Sequence, residues 1–128
     1  MAGYSGKPLI AKLGYRPSDT VFVYHAPEWF VQDLTKRTII TISTLPTTWA
    51  HLFVTNRKDL EQLLSRLHLE DIQKALWVSW PKKASHVPTD INEQTLRDVI
   101  LPLGWVDVKV AAVDETWSGL KFTRRIHK

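Results

Sequence analysis

Cysteine is absent from the 128-residue sequence, so disulfide bonds and thiolate chemistry are excluded. This absence fits a reducing compartment. No segment approaches the ~20 consecutive apolar residues that span a bilayer, and residues 1–12 lack the apolar stretch of a signal peptide. The sequence therefore predicts a soluble, cytoplasmic protein without a membrane partner.

The motifs of several enzyme classes are missing as well. No two of the five histidines lie one helical turn apart, as the ligands of a helical zinc site would. The sequence contains neither a Gly-x-Ser-x-Gly turn nor a phosphate-binding Gly/Lys loop. His51 lies inside an apolar run and is interpreted as a core histidine with satisfied hydrogen bonds. We predict no metal site.

The composition is that of an ordinary globular protein. Hydrophobic residues make up 44% of the chain and charged residues 23%, which excludes a disordered chain. A chain of this length suits one hydrophobic core and is too short for two. We predict a single α/β domain over residues 1–128.

The net charge of +4 is confined to the C-terminus. Residues 121–128 contain Lys121, Arg124, Arg125 and Lys128 and no acidic residue, and the other 13 basic residues are balanced by 13 acidic ones. A solvated terminal strand is the favoured interpretation. A nucleic-acid-binding patch is the alternative.

Hydrophobic periodicity predicts alternating strands and helices. Short apolar runs predict strands at residues 20–25, 38–42, 49–54 and 75–80, and a terminal pair at 105–113 and 120–126. Helices are predicted at 5–13 and 27–34. Two further helices follow from apolar residues at spacing i, i+3, i+4, i+7, namely Leu60, Leu63, Leu64 and Leu67, then Leu96, Val99, Ile100 and Leu103. Asn56 with Asp59 and Asp90 with Glu93 are predicted to cap these two helices.

This order predicts a three-layer α/β fold. A mostly parallel sheet would carry helices on both faces, and the C-terminal hairpin would add an antiparallel strand at one edge. One connection is too short for this scheme. Only residues 43–48 separate the second and third strands, whereas a parallel crossover normally takes a dozen or more residues. The second strand therefore crosses back by an extended loop or lies outside the parallel sheet.

Three segments resemble a family of small, uncharacterised bacterial proteins, domain of unknown function 3052. They are AGYSGKPL at 2–9, LWVSWPKK at 76–83 and VDETWSGLK at 113–121. The order of elements also resembles a reduced, Rossmann-like fold of S-adenosylmethionine-dependent methyltransferases. The first resemblance implies no activity, and the second implies a fold and not a function.

The methyltransferase resemblance implies a glycine-rich turn after the first strand and an acidic residue after the second. In this chain the first strand continues into His25-Ala-Pro-Glu-Trp-Phe30, which lacks glycine, and the second ends near Ile42-Ser-Thr44, which lacks an acid. Glu28 in the first helical turn would also repel a phosphate. We therefore predict no cofactor, neither S-adenosylmethionine nor a dinucleotide.

Ligands of open parallel sheets bind beyond the carboxyl ends of the strands. The sequence places a mixture of amines, carboxylates, an imidazole and an indole after these ends. The candidate ligand-binding residues are His25, Thr55, Asn56, Lys82, Lys83, Ser85, Asp114, Glu115 and Trp117.

Each of these residues also has a structural interpretation. The two lysines are typical of a solvated loop, and the two acids are typical of a turn. Trp117 is more typical of packing than of ligand stacking, and His25 is more typical of a structural hydrogen bond than of a base.

Three functions remain open at this point. The leading hypothesis is a non-catalytic binding or regulatory module whose partner is a small polar or anionic ligand or a protein. The alternative is a small enzyme that acts on a polar or anionic metabolite through Lys82 or Lys83 with Asp114 or Glu115. Such an enzyme requires at least one of these four groups to be buried. The third hypothesis is nucleic-acid binding through residues 121–128.

Overall fold

The computed structural model describes residues 9–37 and 41–125. Within them, the strands are β1 (Thr20–Tyr24), β2 (Thr41–Ile42), β3 (Thr47–Phe53), β4 (Ile72–Pro81), β5 (Trp105–Ala112) and β6 (Trp117–Arg124). The helices are α1 (Leu9–Leu13), α2 (Glu28–Arg37), α3 (Arg57–Arg66) and α4 (Glu93–Ile100). Single 3₁₀ turns cover Leu69–Asp71, Lys83–Ser85 and Leu101–Leu103. The predicted helical residues 5–8 and strand residues 38–40 and 126 lie outside the described part.

The strands form one sheet in the order β2-β1-β3-β4-β6-β5. Strands β2, β1, β3 and β4 pair in parallel, whereas β6 is antiparallel to both β4 and β5. The sheet is therefore mixed, and the prediction of a mostly parallel sheet was wrong. The hairpin lies at one edge of the sheet as predicted, but its antiparallel strand β6 inserts between β4 and β5 and leaves β5 as the edge strand. Local sequence patterns do not show which of the two hairpin strands pairs with β4.

The short connection before β3 has a simple geometric explanation. The described residues of β2, Thr41 and Ile42, pair with Thr20 and Val21 at the amino end of β1. The chain then has only to pass below the start of β1, and the amide of Ser43 donates to the carbonyl of Val21 on the way, at 2.9 Å. A crossover along the full strand length is not needed. Strand β2 lies in the parallel part of the sheet, as the extended-loop alternative required.

Helices cover both faces of the sheet, as predicted. Helices α1 and α2 pack on the face that carries Trp49 and Phe53 of β3, and we call it the α1/α2 face. Helices α3 and α4 pack on the face that carries Ala50 and Leu52, the α3/α4 face. Strand β3 is buried on both faces because its successive side chains point to opposite sides. No helix in the described residues is long and apolar enough to cross a bilayer.

Helix caps fix where α3 and α4 begin. The Oδ1 atom of Asn56 accepts the amide of Asp59 at 2.7 Å, so the predicted cap of α3 is confirmed. The predicted cap of α4 was wrong, because Asn92 and Thr95 form its capping box. Asp90 instead accepts the amide of Arg57 at 2.8 Å and so ties the loop before α4 to α3.

The central histidine is fully buried and fully bonded. The Nδ1 atom of His51 lies 2.9 Å from the Tyr15 hydroxyl, and its Nε2 atom lies 2.7 Å from Ser79 Oγ. Burial lowers the pKa of His51 from 6.5 to about 3, so the ring is neutral at physiological pH. His51 is the satisfied core histidine that the sequence predicted.

Candidate functional site

The carboxyl ends of four strands meet along one side of the sheet, which we call the carboxyl edge. Strands β1, β3 and β4 are parallel, and β5 runs with them because both β4 and β5 are antiparallel to β6. All nine predicted site residues follow one of these strand ends. The structure therefore places them along the same edge.

At the end of β1, aromatic rings stack rather than form a cleft. His25 is exposed, adopts a left-handed backbone conformation (φ 53°) and stacks on Tyr24 with 4.0 Å between ring centroids. The Tyr24 hydroxyl donates to Oδ1 of Asp59 in the first turn of α3, at 3.0 Å. Partial burial and this hydrogen bond raise the pKa of Tyr24. The bond ties the end of β1 to α3.

At the end of β3, the two predicted residues already have structural partners. The carbonyl of Thr55 accepts the hydroxyl of Thr89 at 2.6 Å, which fixes the loop before α4. The side-chain oxygen of Asn56 is used in the cap of α3. Each oxygen already accepts a hydrogen bond that holds a helix or a loop.

At the end of β4, hydrogen bonds shape a tight turn. The carbonyl of Lys82 accepts the amide and the hydroxyl of Ser85, at 3.0 and 2.7 Å. The amide of Lys82 donates to the carbonyl of Thr116 at 2.7 Å and joins this turn to the β5–β6 turn. Lys82 is half-buried and Lys83 is exposed, and neither amine forms an ion pair with a described residue.

The β5–β6 turn is held by Asp114. Its Oδ1 atom accepts the amides of Thr116 and Trp117 at 2.8 and 2.7 Å, an arrangement that short acidic side chains favour in turns. Glu115 is exposed. The Trp117 ring meets Phe53 edge to face at 5.1 Å and covers the end of β3. Both Asp114 and Trp117 therefore have structural roles.

The enzyme hypothesis required one of four charged side chains to be buried. Lys82 and Asp114 are half-buried, and Lys83 and Glu115 are exposed. The carboxylate of Asp114 already accepts two backbone amides. The geometry at this edge therefore offers no buried acid–base pair. No three histidine or acidic side chains among residues 9–37 and 41–125 converge to hold a metal ion.

The crevice between β1 and β3 is where the fold would hold a nucleotide-like cofactor, because α2 and α3 leave it on opposite faces. Residues 25–27 link β1 to α2 without glycine, and Ala26 packs into the core. Ile42, the last residue of β2, pairs with Val21, while Tyr24 marks the end of β1. The end of β2 therefore lies about 10 Å short of the carboxyl edge. These residues do not fit S-adenosylmethionine.

A second concave surface lies between α3 and α4, away from the predicted residues. This groove has a volume of about 320 Å³ and is lined by Arg57, Glu61, Leu64, Ser65, Asp98, Val99 and Leu103. Leu103, predicted as part of an apolar stripe, is 48% exposed there. No local sequence pattern indicates this groove, because it depends on how far apart the two helices pack.

The basic C-terminal segment does not form one patch in the described residues. Lys121 lies over Trp49 on the α1/α2 face. Arg124 lies over Trp105, which belongs to the α3/α4 face, and donates to the carbonyl of Leu69 at 2.8 Å. Alternation along β6 sends the two side chains to opposite faces. Lys128 lies outside the described residues.

Sequence comparison identifies the family to which the chain belongs. A family model described as "Domain of unknown function (DUF8412)" matches residues 52–128, so the resemblance to domain of unknown function 3052 named the wrong family. No curated protein matches the sequence significantly.

Solved structures show the fold more fully. The magnesium protoporphyrin IX methyltransferase of Synechocystis PCC 6803, solved with bound S-adenosylmethionine, has a TM-score of 0.57 and 9% identity over 91% of this chain and 74% of its own. A protein of the NADB-Rossmann superfamily from Streptococcus agalactiae has a TM-score of 0.56 and 6% identity, over 99% of this chain and 72% of its own. The ribosomal protein L11 methylase of Lactobacillus delbrueckii subsp. bulgaricus has a TM-score of 0.53 and 10% identity, over 92% of this chain and 76% of its own. At such low identity the likeness shows a methyltransferase-like, Rossmann-like fold alone.

Proposed function

Because the chain belongs to the DUF8412 family, whose description assigns no activity, we propose a function from the geometry: a non-catalytic binding module on a methyltransferase-like scaffold. One observation carries the proposal. The crevice that holds the cofactor in this fold is bridged by the Tyr24–Asp59 hydrogen bond and is not reached by the end of β2. Binding of S-adenosylmethionine would require this bond to break and a new ribose contact to form.

The ligand of the module is a small polar or anionic molecule at the carboxyl edge. The support comes from charge and exposure. Lys82 and Lys83 carry amines without an ion pair among the described residues, and the hydrogen-bonded turn of Ser85 fixes their backbone. An anion that binds there would gain charge-assisted hydrogen bonds without first displacing a carboxylate. A protein partner with an acidic surface is the alternative occupant.

Amide NMR tests this proposal by mapping ligands onto residues. The protein is titrated with phosphate, citrate and acidic dipeptides at constant ionic strength, and S-adenosylmethionine is added as the cofactor of the neighbouring fold. We expect saturable shifts at Lys82, Lys83 and Ser85 with at least one anion, and none at residues 25–28 with S-adenosylmethionine.

The Lys82→Gln/Lys83→Gln double variant tests whether the anion binds through these two amines. It removes the amines of the half-buried Lys82 and the exposed Lys83 and keeps the backbone hydrogen bonds of the turn, so loss of the shifts would reflect the amines and not the fold. Unchanged shifts in the double variant, or saturable binding of S-adenosylmethionine at residues 25–28, would overturn the proposal.

A further inference from the structure

Three lysines from three separate strands gather on the α1/α2 face. Lys74 comes from β4, Lys109 from β5 and Lys121 from β6. Lys109 and Lys121 are direct partners in the β5–β6 ladder. Lys74 and Lys121 reach the same indole ring, Trp49, with their Nζ atoms 5.3 and 5.0 Å from its centroid. We call these three residues the lysine cluster.

A β-bulge brings Lys109 into the cluster. Asp107 and Lys109 are two residues apart and would share a face in a regular strand. The ladder shifts register between them, because Asp107 pairs with Phe122 and Lys109 with Lys121. Asp107 consequently bonds Arg97 of α4, while the Lys109 amine donates to the carbonyl of Lys12 in α1, at 3.1 Å. The bulge turns a positive charge toward two others, which a regular strand would have kept apart.

The Trp49 indole beneath the amines is held in place by burial and by a hydrogen bond. Trp49 is fully buried, and its indole Nε1 donates to Oδ2 of Asp19 at 2.8 Å. Gly14 has a φ of 99°, and a Cβ there would lie 3.0 Å from the Trp49 ring and 3.7 Å from Lys121 Nζ. A glycine at this position therefore leaves room beside the ring and the amine, and the indole holds two of the cations through cation–π contacts.

The charges of the cluster are not neutralised within the described residues. None of the three lysines forms an ion pair there. Asp19, the acid bound to the Trp49 indole, accepts that N–H and the amide of Arg16 through Oδ2 and forms no ion pair with the three lysines. Burial, followed by the repulsion of Lys109 and Lys74, lowers the pKa of Lys121. Like charges so placed repel one another, and a multivalent anion between them would remove that repulsion.

We propose that Lys74, Lys109 and Lys121 bind a phosphate group, which takes hydrogen bonds from the three amines beside Trp49. The site is separate from the carboxyl edge, because Lys74 is the third residue of β4 and Lys121 pairs with Trp77, four residues before β4 ends at Pro81. The phosphate belongs to a free phosphorylated metabolite or to a nucleic-acid backbone. The two sources share the same chemistry and are separated by experiment.

Titration at constant ionic strength tests the site. Inorganic phosphate, pyrophosphate and a single-stranded oligonucleotide are added to the full chain, and the Lys Nζ and Trp49 Nε1–H signals are followed by NMR. We expect saturable shifts at these groups with pyrophosphate, and about tenfold weaker binding in Lys74→Gln and in Lys121→Gln, since each loses one charged hydrogen bond. Lys58→Gln, which removes an exposed lysine of α3, is the matched control and is expected to bind as the wild type does. The Lys82→Gln/Lys83→Gln double variant separates this site from the carboxyl edge.

Each outcome decides the proposal. Saturation by pyrophosphate assigns a free phosphorylated ligand, and saturation by the oligonucleotide alone assigns a nucleic-acid backbone. The absence of saturation at the lysine cluster with all three probes overturns the site. Equal affinity in Lys121→Gln and the wild type also overturns it. Loss of binding only in Lys82→Gln/Lys83→Gln would show that the anion binds at the carboxyl edge and not at the lysine cluster. Each of the two proposals can therefore fail without the other.

Discussion

Acid should weaken the protein through His51, and the structure sets the size of the effect. The imidazole is fully buried between Tyr15 and Ser79, and burial lowers its pKa from 6.5 to about 3. The unfolded chain therefore takes up a proton near pH 6.5, whereas the folded chain does so only near pH 3. The stability that comes from the neutral buried ring is fully present above pH 6.5 and is lost as the pH falls toward 3.

The magnitude follows from the gap between the two pKa values. Each pH unit below 6.5 removes about 1.4 kcal/mol of the free energy of unfolding, since the unfolded state alone binds the proton. Between pH 7 and pH 5 the loss amounts to about 2 kcal/mol. This is a large share of the roughly 5–15 kcal/mol by which such domains are stable.

Urea unfolding at pH 7, 6, 5 and 4 measures this loss in the wild type and in His51→Gln. Glutamine does not titrate, so any constant cost of the substitution cancels when the two proteins are compared across pH. His68→Gln replaces an exposed histidine and serves as the matched control. We expect the wild type to lose stability relative to His51→Gln, and to run parallel with His68→Gln to within a few tenths of a kcal/mol. A difference between wild type and His51→Gln that stays constant from pH 7 to pH 4 would show that the acid sensitivity does not come from His51.

Three further changes test the fold. Asn56→Ala removes the cap of α3 and should lower the free energy of unfolding by about 1 kcal/mol, whereas Gln62→Ala, exposed on the same helix, should not lower it. Gly119→Ala places a Cβ 3.1 Å from Trp77 and 3.2 Å from Ser79 Oγ. We expect a loss of about 1–3 kcal/mol from overpacking and a smaller effect of Ser118→Ala in the same thermal melts. Tyr24→Phe removes the bond to Asp59, which should cost about 1 kcal/mol and speed hydrogen exchange at the start of α3. Exchange that is unchanged there would contradict the bridging role of this bond.

The local parts of the fold could be predicted from sequence because their signals are local. The apolar runs around Val21 and Val78 place β1 and β4, and the spacing of Leu60, Leu63 and Leu64 places the buried side of α3. The cap at Asn56 was also predictable, because an amide side chain three residues before an acid satisfies a free helix amide. Such features depend on neighbours within one turn or one strand.

Features that depend on distant segments were not predictable. The insertion of β6 between β4 and β5 is decided by packing across the whole sheet. The lysine cluster brings together Lys74 and Lys121, which are 47 positions apart in the sequence. It also requires a β-bulge in β5 that no local sequence pattern predicts. The candidate residues at the carboxyl edge were brought to one side of the sheet as expected, but most of their polar atoms are used in caps and turns. The ligand that would bind them remains a prediction.

The proposal that the crevice between β1 and β3 does not hold S-adenosylmethionine has one direct test, the calorimetric titration of S-adenosylmethionine into the full chain. We expect no saturable heat up to about 1 mM ligand, in the wild type and in Tyr24→Phe alike, because the glycine-free loop at residues 25–27 and the early end of β2 opposite Val21 are the same in both. Stoichiometric binding by the wild type with a Kd below about 0.1 mM would contradict it. That result would make a methyltransferase the leading hypothesis for the function.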